Sequence, residues 1–335
     1  LRAADRKARE NPGAVDQTGH LGMAYHANQF FPPAENAYRI ARRLAPADYR
    51  WPYLLAVLKE ETGEEKEILP LLQQTLQCKA DFYPALQKMA DIYYKQDRMK
   101  EAAGLYEQSA RYGGKESALQ ARTGLGRIAS RQKDWQRVVD IIEPLTHEYA
   151  YVRTPHQLLL DAYRALGKND AAEAEADTLL EPTLIVLPLL KDPLVEELNR
   201  LTCFSTRLLK EAGLASRFRR PEDAIRWARR AAEVEPGDAD AHHFLARVLL
   251  EAHGAAPNEV QEALYHLERG LQLRPEDRLP LWYFASFFFR QKKTDEAVRQ
   301  LQDMLRKQPE SSETHYYLGL VTDRRGDAQE AIGQY

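Results

Sequence analysis

The feature that most constrains this chain of 335 residues is a pattern of small and aromatic residues that returns about every 34 residues. The first full copy contains Leu21-Gly22, Tyr25, Ala34, Tyr38, Ala41 and Pro46. The same order returns at 55–80, 89–114, 125–145 and 159–179, and after an interruption at 212–236, 245–275, 284–309 and 318–335. Such recurrence predicts a stack of identical structural units, each of which buries its apolar face against its neighbours.

The spacing within one copy predicts two helices joined by a turn. A small residue such as Gly22 or Ala246 allows the helices to approach closely, and Tyr25, Tyr93 and Tyr163 fill the space between neighbouring hairpins. Prolines end the second helix of several copies. Turn-forming sequences lie midway through the copies, at 62–65, 95–98, 166–170 and 324–327.

This series of Leu-Gly, Tyr, Ala, aromatic, Ala and Pro resembles the tetratricopeptide repeat family over nearly the whole chain. The resemblance implies an all-α, right-handed superhelical solenoid of stacked antiparallel helix pairs, with about nine repeats and a break near 183–204. The copies at 49–82 and 119–152 depart most from the pattern. In this family the first helix of each pair lines the inner surface of the solenoid.

The recurrence also predicts the domain organisation. We expect a first array at 1–182, an apolar junction with a helix start at 183–204, and a second array at 205–335. The first array would contain a partial helix at 1–14 and repeats near 15–48, 49–82, 83–116, 119–152 and 153–186. The second array would contain repeats near 205–238, 239–277, 278–311 and 312–335, the last one truncated.

The break between the arrays has a composition of its own. The sequence LIVLPLL at 184–190 is apolar and interrupted by proline, which predicts an extended segment lying against the stack and sealing its end. Asp192, Pro193, Glu196 and Glu197 form a helix start, with a capping side chain, proline at the first position and acids near the positive end. We expect that helix to continue to about Gly213. The alternative is a peptide-like latch or a partner-docking element.

Side chains that the first helices turn inward are the candidate binding residues. In the second array they form a row of aromatic rings and arginines, a combination that often dominates binding energy. These residues are His243, Arg247, Trp282, Ser286, Phe289, Arg290, Tyr316 and Arg324. The pattern also predicts that Phe284 and Phe288 point into the stack. The rings on the inner face either bind a partner or pack on the neighbouring hairpin.

The first array offers a second, more polar groove. Its inward residues are Tyr53, Gln87, Asp91, Tyr94, Arg127, Arg131, Asp161 and Arg164. The lysines and asparagines with which some relatives clamp acidic C-terminal tails are absent from the matching positions, and so is the asparagine ladder of sugar-transferring relatives. Recognition by either of these modes is therefore not expected.

Several other classes of function find no support in the sequence. The formal net charge is -3, and no basic face indicates a nucleic-acid partner. No apolar run is long enough to span a membrane. Cys78 and Cys203 are far apart and outside any metal or haem motif. No nucleophile elbow, phosphate loop, dinucleotide fingerprint or zinc signature occurs, so we expect neither catalysis nor a metal or cofactor.

The sequence therefore predicts a non-catalytic scaffold that binds an extended peptide or a partner subunit in a concave groove. Two alternatives stay open: a helical docking region of a larger secreted or periplasmic enzyme or c-type cytochrome system, and an array that assembles with copies of itself. The start at Leu1 and the unfinished helical pattern at Tyr335 predict a segment of a longer protein. The compartment is not assigned, since both a periplasmic or secreted bacterial protein and a cytoplasmic one fit.

Overall fold

The computed structural model of the chain describes most of its residues. The described residues are 6, 10, 11, 14–182, 184–187, 190–251, 257–277, 279–307 and 309–334. The helix expected at 1–14 lies almost wholly outside them, as do parts of the apolar run at 184–190 and of the insertion near 253–258.

The described residues form nineteen α-helices and no β-strand. In chain order the helices are α1 (Val15–Ala27), α2 (Phe31–Leu44), α3 (Arg50–Thr62), α4 (Glu65–Cys78), α5 (Tyr83–Lys95), α6 (Met99–Tyr112), α7 (Gly114–Arg131), α8 (Trp135–Glu148), α9 (Arg153–Ala165), α10 (Asn169–Leu179), α11 (Pro193–Asn199), α12 (Ser205–Arg217), α13 (Pro221–Val234), α14 (Ala239–Glu251), α15 (Pro257–Leu273), α16 (Leu279–Arg290), α17 (Thr294–Lys307), α18 (Ser312–Arg325) and α19 (Ala328–Gln334). The expected extended piece is a single parallel bridge between Val152 and Ile185.

The chain divides into two compact units, unit 1 at Leu1–Thr202 and unit 2 at Cys203–Tyr335. Unit 1 contains five successive helix pairs, α1/α2 to α9/α10, followed by the short helix α11. Unit 2 contains four pairs, α12/α13 to α18/α19. Outside the α14–α15 connection, turns of two or three residues join the helices of a pair and make them antiparallel. The predicted all-α class with stacked helix pairs is confirmed, whereas the individual repeat boundaries stay a prediction.

The turns within the pairs share one backbone device. Each of the eight turns that the structure describes contains a residue with positive φ, followed by a backbone N–H that donates to the carbonyl five residues earlier, such as Phe30 to Tyr25 at 2.9 Å. This arrangement satisfies carbonyls left open at the end of the first helix. The positive-φ residues are Gln29, Gly63, Asp97, Lys133, Gly167, Arg219, Lys292 and Gly326.

The small and aromatic residues of the recurring pattern lie where two helices touch. Ala34, Tyr38 and Ala41 on α2 are fully buried. A Cβ atom on Gly22 of α1 would lie 2.9 Å from the Tyr38 ring and 3.1 Å from the Ala37 Cβ. The glycine therefore sets the close approach of α1 and α2 that the sequence predicted.

Unit 2 has a core of its own in which α16 contributes several phenylalanines. Phe284 and Phe288 are buried, as the pattern predicts, with their rings 4.8 Å apart. Ala297, Leu301 and Met304 of α17 belong to the same core. A helix that is apolar on most of its surface is stable here because both neighbouring pairs cover it.

The helix start at Asp192 is shorter than expected. The Asp192 carboxylate accepts hydrogen bonds from the N–H groups of Leu194 and Val195, so the predicted cap is present. However, α11 ends at Asn199, and α12 begins at Ser205 after an extended Phe204. The expectation of one helix to about Gly213 is wrong, because the chain turns at the boundary between the two units.

Candidate functional site

The inner face of each unit, meaning the surface presented by the first helices of its pairs, carries the candidate residues. In unit 2, the side chains of Trp282 on α16 and Tyr316 on α18 are 49% and 52% exposed. Each lies two residues before the Leu or Phe of the repeat, here Phe284 and Leu318, which are buried. The two rings therefore occupy equivalent places on helices of successive pairs.

Arginines accompany these rings. The Arg324 guanidinium lies over the Phe289 ring at 4.8 Å, and the Arg247 guanidinium lies over the Phe244 ring at 4.4 Å. Arg247 also pairs with Glu251 at 2.9 Å. Arg290 and Arg324 are exposed, and neither has a carboxylate partner within the described part of the chain. Unit 2 thus presents two uncompensated positive charges near exposed aromatic surface.

The other predicted residues of unit 2 are less accessible. His243 is mostly buried, and its Nδ1 lies 3.1 Å from a carboxylate oxygen of Asp277. Burial lowers the pKa of His243, which favours the neutral ring. Ser286 and Phe289 are half-buried, and Phe289 packs against the core. Trp282, Tyr316 and the two arginines are the exposed members of the predicted set.

Unit 1 differs at the position equivalent to Trp282 and Tyr316. Tyr53, two residues before Leu55, is fully buried, and its hydroxyl donates a hydrogen bond to the Asp192 carboxylate. Burial raises the pKa of Asp192, although the hydrogen bond from Tyr53 opposes that effect, and burial also raises the pKa of Tyr53. Tyr53 was predicted to line an open groove, but the chain itself covers it.

The covering segment, termed the strap, consists of residues 184–187 and 190–201, and it contacts the start of α9 and then α5, α3 and α1. Ile185 pairs with the backbone of Tyr151 and Arg153 before α9, with both N···O distances 2.8 Å. Further along, the Tyr83 hydroxyl of α5 donates to the Lys191 carbonyl at 2.5 Å. Asp192 then meets Tyr53 of α3, and α11 packs on α1 and α3.

The end of the strap is attached to α1. His20 Nε2 lies 3.5 Å from a Glu197 carboxylate oxygen, and the Asn28 side chain donates to the Leu201 carbonyl at 3.1 Å. Leu194 and Leu198 are buried in the core formed with the first pairs. The strap is therefore held by two buried leucines and by side-chain hydrogen bonds from three inner helices.

The remaining predicted residues of unit 1 form separate contacts. Gln87 is buried and donates to Asp91 at 3.4 Å, and the Tyr106 hydroxyl donates to Asp91 at 2.7 Å. Burial raises the pKa of Asp91. The Arg131 guanidinium lies over the Tyr94 ring at 5.6 Å. The other three members, Arg127, Asp161 and Arg164, are exposed.

A cavity of about 610 Å³ remains between the strap and the helices of unit 1. Leu190, Asp192 and Val195 line it from the strap, and Lys88 and Asp91 are among the residues that line it from the inner face. The strap therefore lies on this face without filling it.

Sequence reasoning missed the groups that hold the strap: His20, Asn28, Tyr83 and the pairing of Tyr53 with Asp192. The one available signal was the Asp192-Pro193 helix start, which marked a defined element inside the break. Within the described residues, no group of three or more His, Cys, Asp or Glu side chains is arranged to hold a metal ion. None of the described helices combines the length and apolar character needed to cross a membrane.

Comparison with known proteins gives a family match over parts of the chain. A family model described as tetratricopeptide repeat matches residues 88–137 in unit 1 and 285–335 in unit 2. No curated protein sequence matches the chain.

Solved structures give similar but weak matches. The structure of pilF from Pseudomonas aeruginosa is 16% identical with a TM-score of 0.43, and the match covers 70% of this chain and 97% of that one. The TPR domain of P58(IPK) is 15% identical with a TM-score of 0.33 and coverage of 96% and 91%. PilW, a type IV pilus biogenesis factor, is 13% identical with a TM-score of 0.41 and coverage of 70% and 98%.

These structural values carry no information about partners. The family match, by contrast, falls on helix pairs of both units and agrees with the spacing of their buried residues. The chain therefore carries tetratricopeptide repeats in both units.

Proposed function

We propose that this protein is a non-catalytic protein–protein interaction scaffold that binds an extended segment of another protein on the inner face of unit 2. The proposed partner segment is part apolar and part acidic. Tetratricopeptide repeats in both units support the general role of a scaffold. A pre-formed helical surface suits this role because little conformational freedom is lost when a partner binds.

The single observation that carries the proposal is the exposure of Trp282 and Tyr316. The equivalent Tyr53 of unit 1 is fully buried under a segment of chain, whereas these two rings are about half exposed. Large exposed aromatic residues on adjacent helices favour a binding surface, because each buries a large area and has few rotatable bonds to freeze.

The preference for an acidic partner follows from Arg290 and Arg324. Both are exposed and lack carboxylate partners among the described residues, so a carboxylate on the partner would meet an uncompensated charge. Arginine pairs with carboxylates through a planar fork and also stacks on aromatic rings. Arg324 already lies over Phe289, which holds its guanidinium near the surface.

A photo-crosslinking experiment identifies the partner segment. A photoreactive phenylalanine analogue replaces Trp282 in the full chain, and mass spectrometry identifies the sequence that becomes attached. That segment is then synthesised, and its dissociation constant is measured with the unmodified protein. Trp282→Ala should weaken binding about 30-fold, the equivalent of about 2 kcal/mol for a central aromatic residue.

Matched controls come from the second helix of a pair, which does not form the inner face. Tyr265 on α15 is 63% exposed, and Arg299 on α17 is exposed. Tyr265→Ala and Arg299→Ala should leave the dissociation constant within about twofold, since surface residues outside a binding site contribute little. The proposal fails if Trp282→Ala combined with Arg290→Ala leaves binding intact, or if that variant melts at a much lower temperature.

A further inference from the structure

The inner face of unit 1 already holds a segment of polypeptide, and the contacts define what kind of segment it accepts. The strap pairs with the backbone at the start of α9, accepts hydrogen bonds from side chains of α5 and α3, and packs on α3 and α1. We infer that this face is a binding site for an aspartate-capped short helix with leucines four residues apart, and that the strap is its intramolecular occupant.

The Asp192 carboxylate performs two tasks at once. It accepts hydrogen bonds from the Leu194 and Val195 N–H groups at 3.1 and 3.2 Å, which caps α11, and it accepts the hydroxyl of Tyr53. A buried carboxylate requires several donors. The site therefore selects an acidic residue at the start of a helix.

The two leucines supply the apolar part of recognition. Leu194 is 5% exposed and Leu198 is fully buried. Residues four apart lie on the same face of a helix, so both side chains enter the core of the first pairs together. A segment with Asp, then Leu two and six residues later, reproduces all of these contacts.

Three features distinguish the strap from permanent core. Helix α11 has only seven residues, and an isolated helix of that length is unstable in water. Val186 and Leu201 of the strap are 63% and 37% exposed. The cavity of about 610 Å³ beneath Leu190 and Val195 leaves part of the face uncovered. The strap is thus a replaceable occupant, and a partner segment of the same chemistry must compete with it.

A labelled peptide of residues 190–201, LKDPLVEELNRL, tests the inference in the full chain. The unchanged protein should bind it weakly, because a tethered occupant competes at an effective concentration in the millimolar range. Leu194→Asp combined with Leu198→Asp displaces the strap and leaves the receiving residues intact. This opened chain should bind the peptide about 100-fold more tightly, since the competent fraction of sites rises.

Further substitutions locate the site. In the opened chain, Tyr53→Phe should weaken peptide binding about 10-fold, because it removes the hydrogen bond to the aspartate. Tyr163→Phe is the matched control, because its hydroxyl bonds Glu143 at 2.9 Å and not the segment 190–201, so its loss should not change peptide binding. Trp282→Ala should have no effect either, which separates this inference from the proposed function of unit 2.

The inference is overturned if the unchanged and opened chains bind the peptide equally, or if the opened chain keeps its helicity and does not bind. If the opened chain does not fold, amide hydrogen exchange is measured instead in the otherwise unchanged chain with Tyr53→Phe. The amides of α11 should then exchange about 10-fold faster while those of α8 stay unchanged. If the amides of α11 exchange only when the whole chain unfolds, the strap is part of the core and the inference is wrong.

Discussion

At the scale of single residues, two helical glycines differ in the space around them. A Cβ atom on Gly19 of α1 would lie 2.0 Å from the Trp51 ring, and Trp51 is fully buried. By contrast, nothing lies within 4 Å of a Cβ placed on Gly104 of α6. The same substitution should therefore have opposite effects at the two positions.

We expect Gly19→Ala to lower the free energy of unfolding by about 1–3 kcal/mol, because Trp51 cannot move without disturbing a filled core. Gly104→Ala should raise it by about 0.5–1 kcal/mol, since alanine loses less backbone freedom than glycine in a helix. Urea denaturation of both variants measures the difference. Two changes of the same sign would contradict the packing described here.

A second residue-scale feature is a histidine that begins the first helix of three pairs. The Nε2 atoms of His156, His242 and His315 lie 3.0–3.1 Å from a backbone carbonyl six residues earlier. Their Nδ1 atoms meet a residue on the second helix, which is Glu175, His266 or Gln334, respectively. The partner on the second helix is thus a carboxylate in one pair, a histidine in another and an amide in the third.

His266 makes unit 2 sensitive to acid. Burial and the neighbouring His242 lower the pKa of His266 to about 4 from 6.5, while Glu262 opposes this effect and is itself paired with Arg229. The native ring binds a proton less readily than the unfolded one. The stability that neutral His266 contributes is therefore fully present above pH 6.5 and is lost as the pH falls toward 4.

The variant His266→Gln copies the natural pair of His315 with Gln334 and removes the titrating group. Between pH 6.5 and 4 the unchanged protein should lose about 1–2 kcal/mol more stability than the variant, a value reduced for the partial exposure of His266. Unfolding curves at several pH values provide the measurement. Parallel curves for the two proteins would show that His266 does not control the response.

At the scale of elements, the eight described turns within pairs share one residue in the left-handed conformation, and in three of them this residue is glycine, at Gly63, Gly167 and Gly326. Lys133 between α7 and α8 has a φ of 60°. A side chain in this conformation is strained because its Cβ approaches the following carbonyl oxygen. The chain thus contains non-glycine turn residues that reduce the stability of their pairs.

Lys133→Gly should raise the free energy of unfolding by about 0.5–1 kcal/mol, because glycine adopts this conformation without strain. The reverse change, Gly63→Ala, should lower it by about 1 kcal/mol, because the φ of Gly63 is 79°, a conformation that strains a side chain. No atom lies within 4 Å of the added Cβ, so the effect comes from the backbone alone. Thermal melting of the two variants tests both signs. If Lys133→Gly destabilises the protein, contacts of the Lys133 side chain outweigh the strain in its backbone.

Successive pairs also share a contact between an arginine and a ring. Arg131 of α7 lies over Tyr94 of α5, and Arg324 of α18 lies over Phe289 of α16. Each guanidinium joins the first helix of one pair to the first helix of the pair before it. Two of the arginines predicted to bind a partner therefore also stabilise the stack, so tests of binding need the exposed Arg290 rather than these two.

At the scale of the whole molecule, the two units present different inner faces built from the same repeat. The face of unit 1 carries the strap over Tyr53, and the face of unit 2 exposes Trp282 and Tyr316. A repeat fold makes this division natural, because each pair depends mainly on its neighbours and its inner side chains are free to vary. The two proposed partner segments differ in conformation, an extended segment for unit 2 and a short aspartate-capped helix for unit 1.

The sequence by itself predicted the helix pairs, the turns within them and the residues packed between their helices. It did so because the same pattern of small and aromatic residues recurs in nine copies. Departures from the pattern were not predictable from spacing. Lys59 stands where three other copies have Tyr, and its buried side chain pairs with Glu35 and Glu64 at 3.0 and 2.7 Å. Those partners lie on other helices or in a turn, so only the folded chain brings them together.

Accessibility was likewise decided by the tertiary structure. Local periodicity assigns a side chain to one face of a helix, and it assigned Tyr53, Trp282 and Tyr316 to the same face. It contains no information about a segment more than 130 residues away that covers one of these rings, as Asp192 covers Tyr53 (sequence separation 139). Local pattern therefore determined the repeat, whereas long-range packing determined which face stays open.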